Sequence, residues 1–139
     1  MNMELKMREG DALPKINKII TSNKIKEYAH ASGDLNPIHI DPEYAATSKF
    51  GSIIAHGMLI ASSISEMMTL AFKQMWVNNG RLKIRFNSPV RAGDTITTFG
   101  QIKTIDNADE AQKIICSVTV CTQDGDTAIS GEAIVTISN

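Results

Sequence analysis

The sequence predicts an α+β fold: an antiparallel sheet of about five strands curled round one long buried helix. Three observations carry that prediction. From Gly57 to about Met75, apolar side chains such as Leu59, Ile60, Ile64, Met67, Met68 and Phe72 go nearly all the way round a helical wheel. A helix apolar on most sides is buried on most sides, so something must wrap it. The second half of the chain supplies the wrapper, as a series of strand-like runs separated by the turn signals "NNG", "RAGD", "DNADE" and "QDGD". The whole is 139 residues with 42% hydrophobic residues, the size and composition of one ordinary domain with a real core. Residues 1–139 are therefore read as a single domain.

Each element follows in order. An early strand is expected near Lys15 to Ile20. In "TSNKIKEYAHAS", Thr21 and Ser22 are candidate caps, Ile25, Tyr28 and Ala29 recur at helical spacing, and Gly33 can end the turn. A second, short helix is expected from Pro42 to about Thr47, followed by the long helix from Gly57. "RLKIRFNSPV" alternates, with Leu82, Ile84 and Phe86 on one face and Arg81, Lys83 and Arg85 on the other. "DTITTFGQIKTI" is strand-like, but its alternation is blurred. "KIICSVTVCT" sets Ile114, Cys116, Val118 and Val120 on one face. "TAISGEAIVTIS" does the same with Ile129, Ala133, Val135 and Ile137, with Gly131 between.

Composition narrows the function. A net charge of -1 argues against a general nucleic-acid binder, which needs a marked basic excess. The opening "MNMELKMREGDALPK" is mixed in charge and lacks the apolar core of a signal peptide. The longest apolar region, Ile53 to Phe72, is broken by His56, Ser62, Ser63, Ser65 and Glu66, so no membrane span is expected. A cytoplasmic protein is the expectation. Cys116 and Cys121 are spaced oddly within one strand, which puts them on opposite faces, and no CxxC signature exists. Both read as packing residues.

Two stretches carry chemistry. In "SGDLNPIHIDPEYA", Asp34, Asn36, Pro37 and His39 crowd into six residues. Pro37 keeps Asn36 out of the helical region, which predicts a rigid non-helical link. Such a link can turn Asp34 and His39 toward one point. An imidazole exchanges protons near neutral pH, and a carboxylate can orient or assist it. The bland alternative is a capping Asp34 and a packed His39. In "AHGML", Gly57 stands at the mouth of the buried helix. The first N–H groups of a helix lack internal partners and carry the positive end of its dipole, so an enolate-like oxygen would find donors there. The alternative is that Gly57 only starts the helix and His56 only caps it. Ser62, Ser63 and Ser65 each read best as bonding back to their own helix, and no GxSxG surrounds them. A metal site from Asp34, His30, His39 and His56 has spacings that fit no compact ligand motif, so no metal is expected.

Together these pieces resemble the MaoC-like dehydratases and (R)-specific enoyl-CoA hydratases. Tyr28, then Ser32-Gly33-Asp34-Leu35-Asn36-Pro37-Ile38-His39, then Ala45 follow that family's motif, and His56-Gly57-Met58 match its helix start. The resemblance covers essentially the whole chain. It implies a hot-dog fold, with a curved sheet wrapped round a central helix. It implies that Asp34 and His39 are the catalytic acid–base pair, with Gly57 N–H as oxyanion donor. Asn36, His56 and Ser65 are implied to support or bind substrate, Ser65 as a pocket serine eight residues after Gly57. The implied reaction is reversible addition of water to a trans-2-enoyl thioester. No cofactor is implied beyond coenzyme A or acyl carrier protein as the substrate's handle. A homodimer, or a dimer of dimers, is the implied assembly. Two competing readings are an acyl-CoA thioesterase, since one fold hosts many functions, and a non-catalytic acyl-thioester-binding subunit. The intact Asp-x-Asn-Pro-x-His pattern favours the hydratase. Arg81, Lys83, Arg85 and Arg91 are candidates to meet substrate phosphates, though a solvated strand face is the commoner use of such residues.

Overall fold

The structure, a computed structural model, describes residues 7–138. Part of the opening run read for leader character, residues 1–6, lies outside them. The elements run β1 (Ile16–Ile19), α1 (Ser22–Ser32), α2 (Pro37–Ile40), α3 (Pro42–Thr47), α4 (Gly57–Phe72), α5 (Gln74–Asn79), β2 (Gly80–Phe86), β3 (Thr95–Asn107), β4 (Ala111–Thr122) and β5 (Thr127–Ser138). The five strands form one sheet in the order β1-β3-β4-β5-β2, with every neighbouring pair antiparallel. One face of the sheet packs on α4. Ile114, Cys116, Val118 and Val120 of β4 and Ile129, Ala133 and Val135 of β5 are buried, as alternation predicts. They share one apolar cluster with Ile60, Ile64, Met67, Met68 and Phe72 of α4.

The blur in β3 has a physical cause. Ile96, Thr98 and Ile102 are buried on even positions. A register shift between Ile102 and Thr104 then moves the inward phase, so that Ile105 pairs with buried Ile114. A bulge adds one residue to one strand and breaks the period of two. Both cysteines are free; Cys116 is buried and Cys121 half-buried. Burial pushes the Cys116 thiol up to about 12, which keeps it inert.

Three local expectations need correction. The long helix ends at Phe72, not near Met75. Lys73 breaks it with φ 55 and ψ -132, and α5 begins at Gln74. Hydrophobic periodicity continues through Met75 and Trp76, so it could not reveal the change of direction. The "NNG" signal consequently closes α5 and leads directly into β2, with no separate turn. The link after Asn36 is also not wholly non-helical: Pro37–Ile40 forms one helical turn. Proline suits the first turn of a helix, where its missing N–H has no partner to lose.

Candidate active site

The link from α1 to α3 is built from local caps. Thr21 opens α1 by accepting from Lys24 N–H at 3.1 Å. Gly33 closes it at φ 80, a left-handed conformation that glycine adopts without penalty, and its N–H donates to Ala29 O. Asn36 stays extended, with ψ 129, and its Oδ1 accepts from Ile38 N–H at 3.1 Å. Asp41 Oδ1 accepts from Glu43 and Tyr44 N–H to start α3. His39 therefore rides on a single turn capped at both sides.

That turn aims His39 inward, where it is 9% exposed. Its Nδ1 lies 2.7 Å from Ile54 O. A carbonyl oxygen only accepts, so Nδ1 carries the proton and Nε2 is left with a lone pair. Asp34 is exposed, and its Oδ1 accepts from Asn36 N–H at 3.3 Å. The structure thus brings Asp34 and His39 together, and adds His56: one donor atom from each of the three lies within 4.8 Å of the others. The His39 and His56 rings stack at 3.8 Å with 25° between their planes. Zinc-bound donors converge to about 3.4 Å apart, as follows from bonds near 2.1 Å, whereas these three lie within 4.8 Å of one another and His56 Nε2 is already engaged by Asp34 O. The trio suits proton handling better than metal binding. His30 is exposed on α1 and belongs to no such group.

Gly57 begins α4 beside these side chains. His56 stands at the N-cap position but makes no side-chain cap, so the helix mouth keeps free backbone donors. A Cβ on Gly57 would come within 2.7 Å of the Phe86 ring. A cavity of about 510 Å³ opens there, lined by Gly57, Ile60, Phe86, Val90, Ala128 and Ile129 among others. A second cavity, about 300 Å³, lies on the other flank of α4 against Lys18, Lys24, Tyr28 and Ser62. Ser62 and Ser63 donate back to Leu59 O and Ile60 O, as expected for helix serines. Ser65 lies two turns along from Gly57, lines neither cavity, and accepts from the Trp76 indole N–H at 2.9 Å. Arg91 donates to Phe50 O, while Arg81, Lys83 and Arg85 stand exposed. Sequence reasoning did not single out Phe86 or Trp76. Phe86 reads only as one of three apolar residues sharing a strand face; it is 53% exposed and faces Gly57.

The chain belongs to the family of MaoC-like domains, whose model matches residues 8–123. It is 34% identical over 134 residues to the (R)-specific enoyl-CoA hydratase of Rhodospirillum rubrum, covering 94% of this chain and 88% of that one. To the enzyme of the same name from Aeromonas caviae it is 32% identical over 127 residues, covering 87% and 89%. The solved (R)-hydratase from A. caviae involved in PHA biosynthesis superposes with a TM-score of 0.81 at 28% identity, over 94% of this chain and 97% of that one. The wrapped helix is therefore the hot-dog fold. Among the described residues, no helix is long and apolar enough to cross a membrane.

Proposed function

We infer that the chain is an (R)-specific enoyl-CoA hydratase, acting in reverse as a 3-hydroxyacyl-thioester dehydratase, with its whole length working as one hot-dog domain. One observation carries the reading. Asp34 and His39 converge beside the open N-terminus of α4, with His39 Nε2 free to accept a proton. In hydration, water oxygen bonds to C3 of the enoyl thioester and a proton is added at C2. His39 Nε2 takes a proton from the attacking water, and the Asp34 carboxylate orients that water and steadies the charged ring. His39 Nε2 then gives that proton to C2 as the enolate electrons return to form the C2–H bond, so the pair ends as it began. Negative charge passes through the thioester oxygen on the way. Its stabilisation falls, on this reading, to the Gly57 N–H and the dipole of α4. Asn36 supports the site by capping the turn that carries His39. Coenzyme A or acyl carrier protein is the handle, and this route calls on no other cofactor.

The test is direct. Incubated with crotonyl-CoA, the protein is expected to remove the enoyl absorbance, release no free thiol, and yield the (R)-3-hydroxy product. Thiol release without hydration would mean a thioesterase.

The assembly is part of the same reading. β2 is an edge strand whose apolar side chains are poorly covered: Leu82 is 38% exposed, and Val77 just before the strand 64%. Unpaired edges of this kind invite a second copy. We place the protein as a homodimer, alone or as a dimer of dimers. Light scattering that finds a fully active monomer would refute this. The free cysteines suit a cytoplasmic setting.

A further inference from the structure

We propose that His56 is a positioning residue that ties the two halves of the site together, acting through Asp34, His39 and Gly57 without touching substrate. The inference rests on the hydratase reading. The site comes from two separate segments. Asp34 and His39 lie on the link after α1, and Gly57 opens α4. His56 touches all three. Its Nε2 lies 3.0 Å from Asp34 backbone O, so the ring donates its proton there. Its face stacks on His39 at 3.8 Å. Its backbone O accepts from Leu59 and Ile60 N–H, which fixes it to the first turn of α4 beside Gly57. Tyr28 also packs against the His56 ring, with centroids 4.8 Å apart and the planes tilted by 57°. His56 thus makes ring contacts with both His39 and Tyr28.

Two facts separate this from the substrate-contact role that the resemblance implies. His56 is 2% exposed, so a substrate has almost none of it to touch. Its Nδ1 is buried and has no hydrogen-bond partner, so the ring's only directed polar contact is the one that holds Asp34 in place. The arrangement also gives the family motif's aromatic residue a physical task. Tyr28 backs the ring that backs His39.

The test splits the two contacts. His56→Phe keeps a ring for stacking and loses the donor to Asp34. His56→Gln keeps a donor and loses the ring. Each is expected to lower kcat on crotonyl-CoA roughly 10–100-fold with KM little changed, since misplacing reacting groups by about 1 Å costs on this scale. A raised KM at intact kcat would overturn the proposal, as would unchanged turnover per folded molecule. If the His56 variants fail to fold, Tyr28→Leu carries the kinetic test. A several-fold fall in kcat at constant KM supports positioning, and an unchanged kcat overturns it. Imidazole ¹⁵N spectra of the wild type read the arrangement without turnover: His56 protonated on Nε2 and His39 on Nδ1 is expected, and a His56 proton on Nδ1 would overturn it. Wild-type activity in the same assay separates the two readings. An inert wild type refutes the hydratase, whereas an active wild type with unimpaired variants refutes only the positioning role.

Discussion

The two ends of α4 are built in opposite ways. Its N-terminus is left open: Gly57 follows an extended His56 that offers no side-chain cap. Its C-terminus is closed. Lys73 N–H donates to Thr69 O, α5 folds back, and Trp76 reaches Ser65. Closure places a non-glycine residue at φ 55, a region that costs roughly 1–3 kcal/mol. This helix therefore keeps unmet donors at one end and accepts strain at the other. Donors stay free at the end where the thioester is proposed to bind, and strain is tolerated where the chain only has to turn. Changes at the open end should therefore alter turnover, and changes at the closed end should alter stability.

The largest expected effect is at the open end. On the proposed mechanism, His39→Ala removes the group that exchanges a proton, and positioned proton transfer is worth ~10²–10⁴-fold in rate. Hydration of crotonyl-CoA should fall by that much while the melting temperature moves little. Gly57→Ala comes next. Its new Cβ meets the Phe86 ring, so the half-exposed ring must swing away from the cavity mouth. Turnover should drop roughly 10-fold, as for other small misplacements of a reacting site. Adding Phe86→Ala removes the collision and should restore part of the loss. A double variant no better than Gly57→Ala would show that the collision is not the cause.

Smaller effects belong to the closed end. Trp76→Phe keeps a buried ring and deletes the N–H that Ser65 accepts. It should cost about 1 kcal/mol, the usual net worth of such a bond, seen as a lower urea midpoint with hydration near wild type. Lys73→Gly should stabilise by about 0.5–1 kcal/mol, because relief of strain outweighs the greater freedom of glycine in the unfolded chain. A loss of stability in that variant would mean that φ 55 is not strained there.

Sequence reasoning reached one end of this helix better than the other, and the reason is physical. Caps and alternation are local. Thr21, Gly33 and Pro42 mark their helices by chemistry confined to a few residues, and β4 and β5 show their buried faces plainly. The pairing of Asp34 with His39 was legible as a motif. What stayed hidden depends on long-range contact. That His56 stacks on His39 needs two segments to meet. That Phe86 lies against Gly57 needs β2 to cross the mouth of α4. The break at Lys73 has neither glycine nor proline to announce it, and the apolar pattern runs straight across. The bulge in β3 left a trace only as blurred alternation.

Asp34 and His39 are proposed to form one proton-handling unit for enoyl-thioester hydration. Asp34→Asn tests it most directly, because the substitution keeps the shape of the side chain and removes its charge. The measurement is kcat/KM on crotonyl-CoA beside a melting curve for the same preparation. A folded protein with hydration reduced ~10²–10⁴-fold is expected. A folded Asp34→Asn protein that hydrates at nearly the wild-type rate would contradict it, and would leave the cluster around Pro37 as a turn and nothing more.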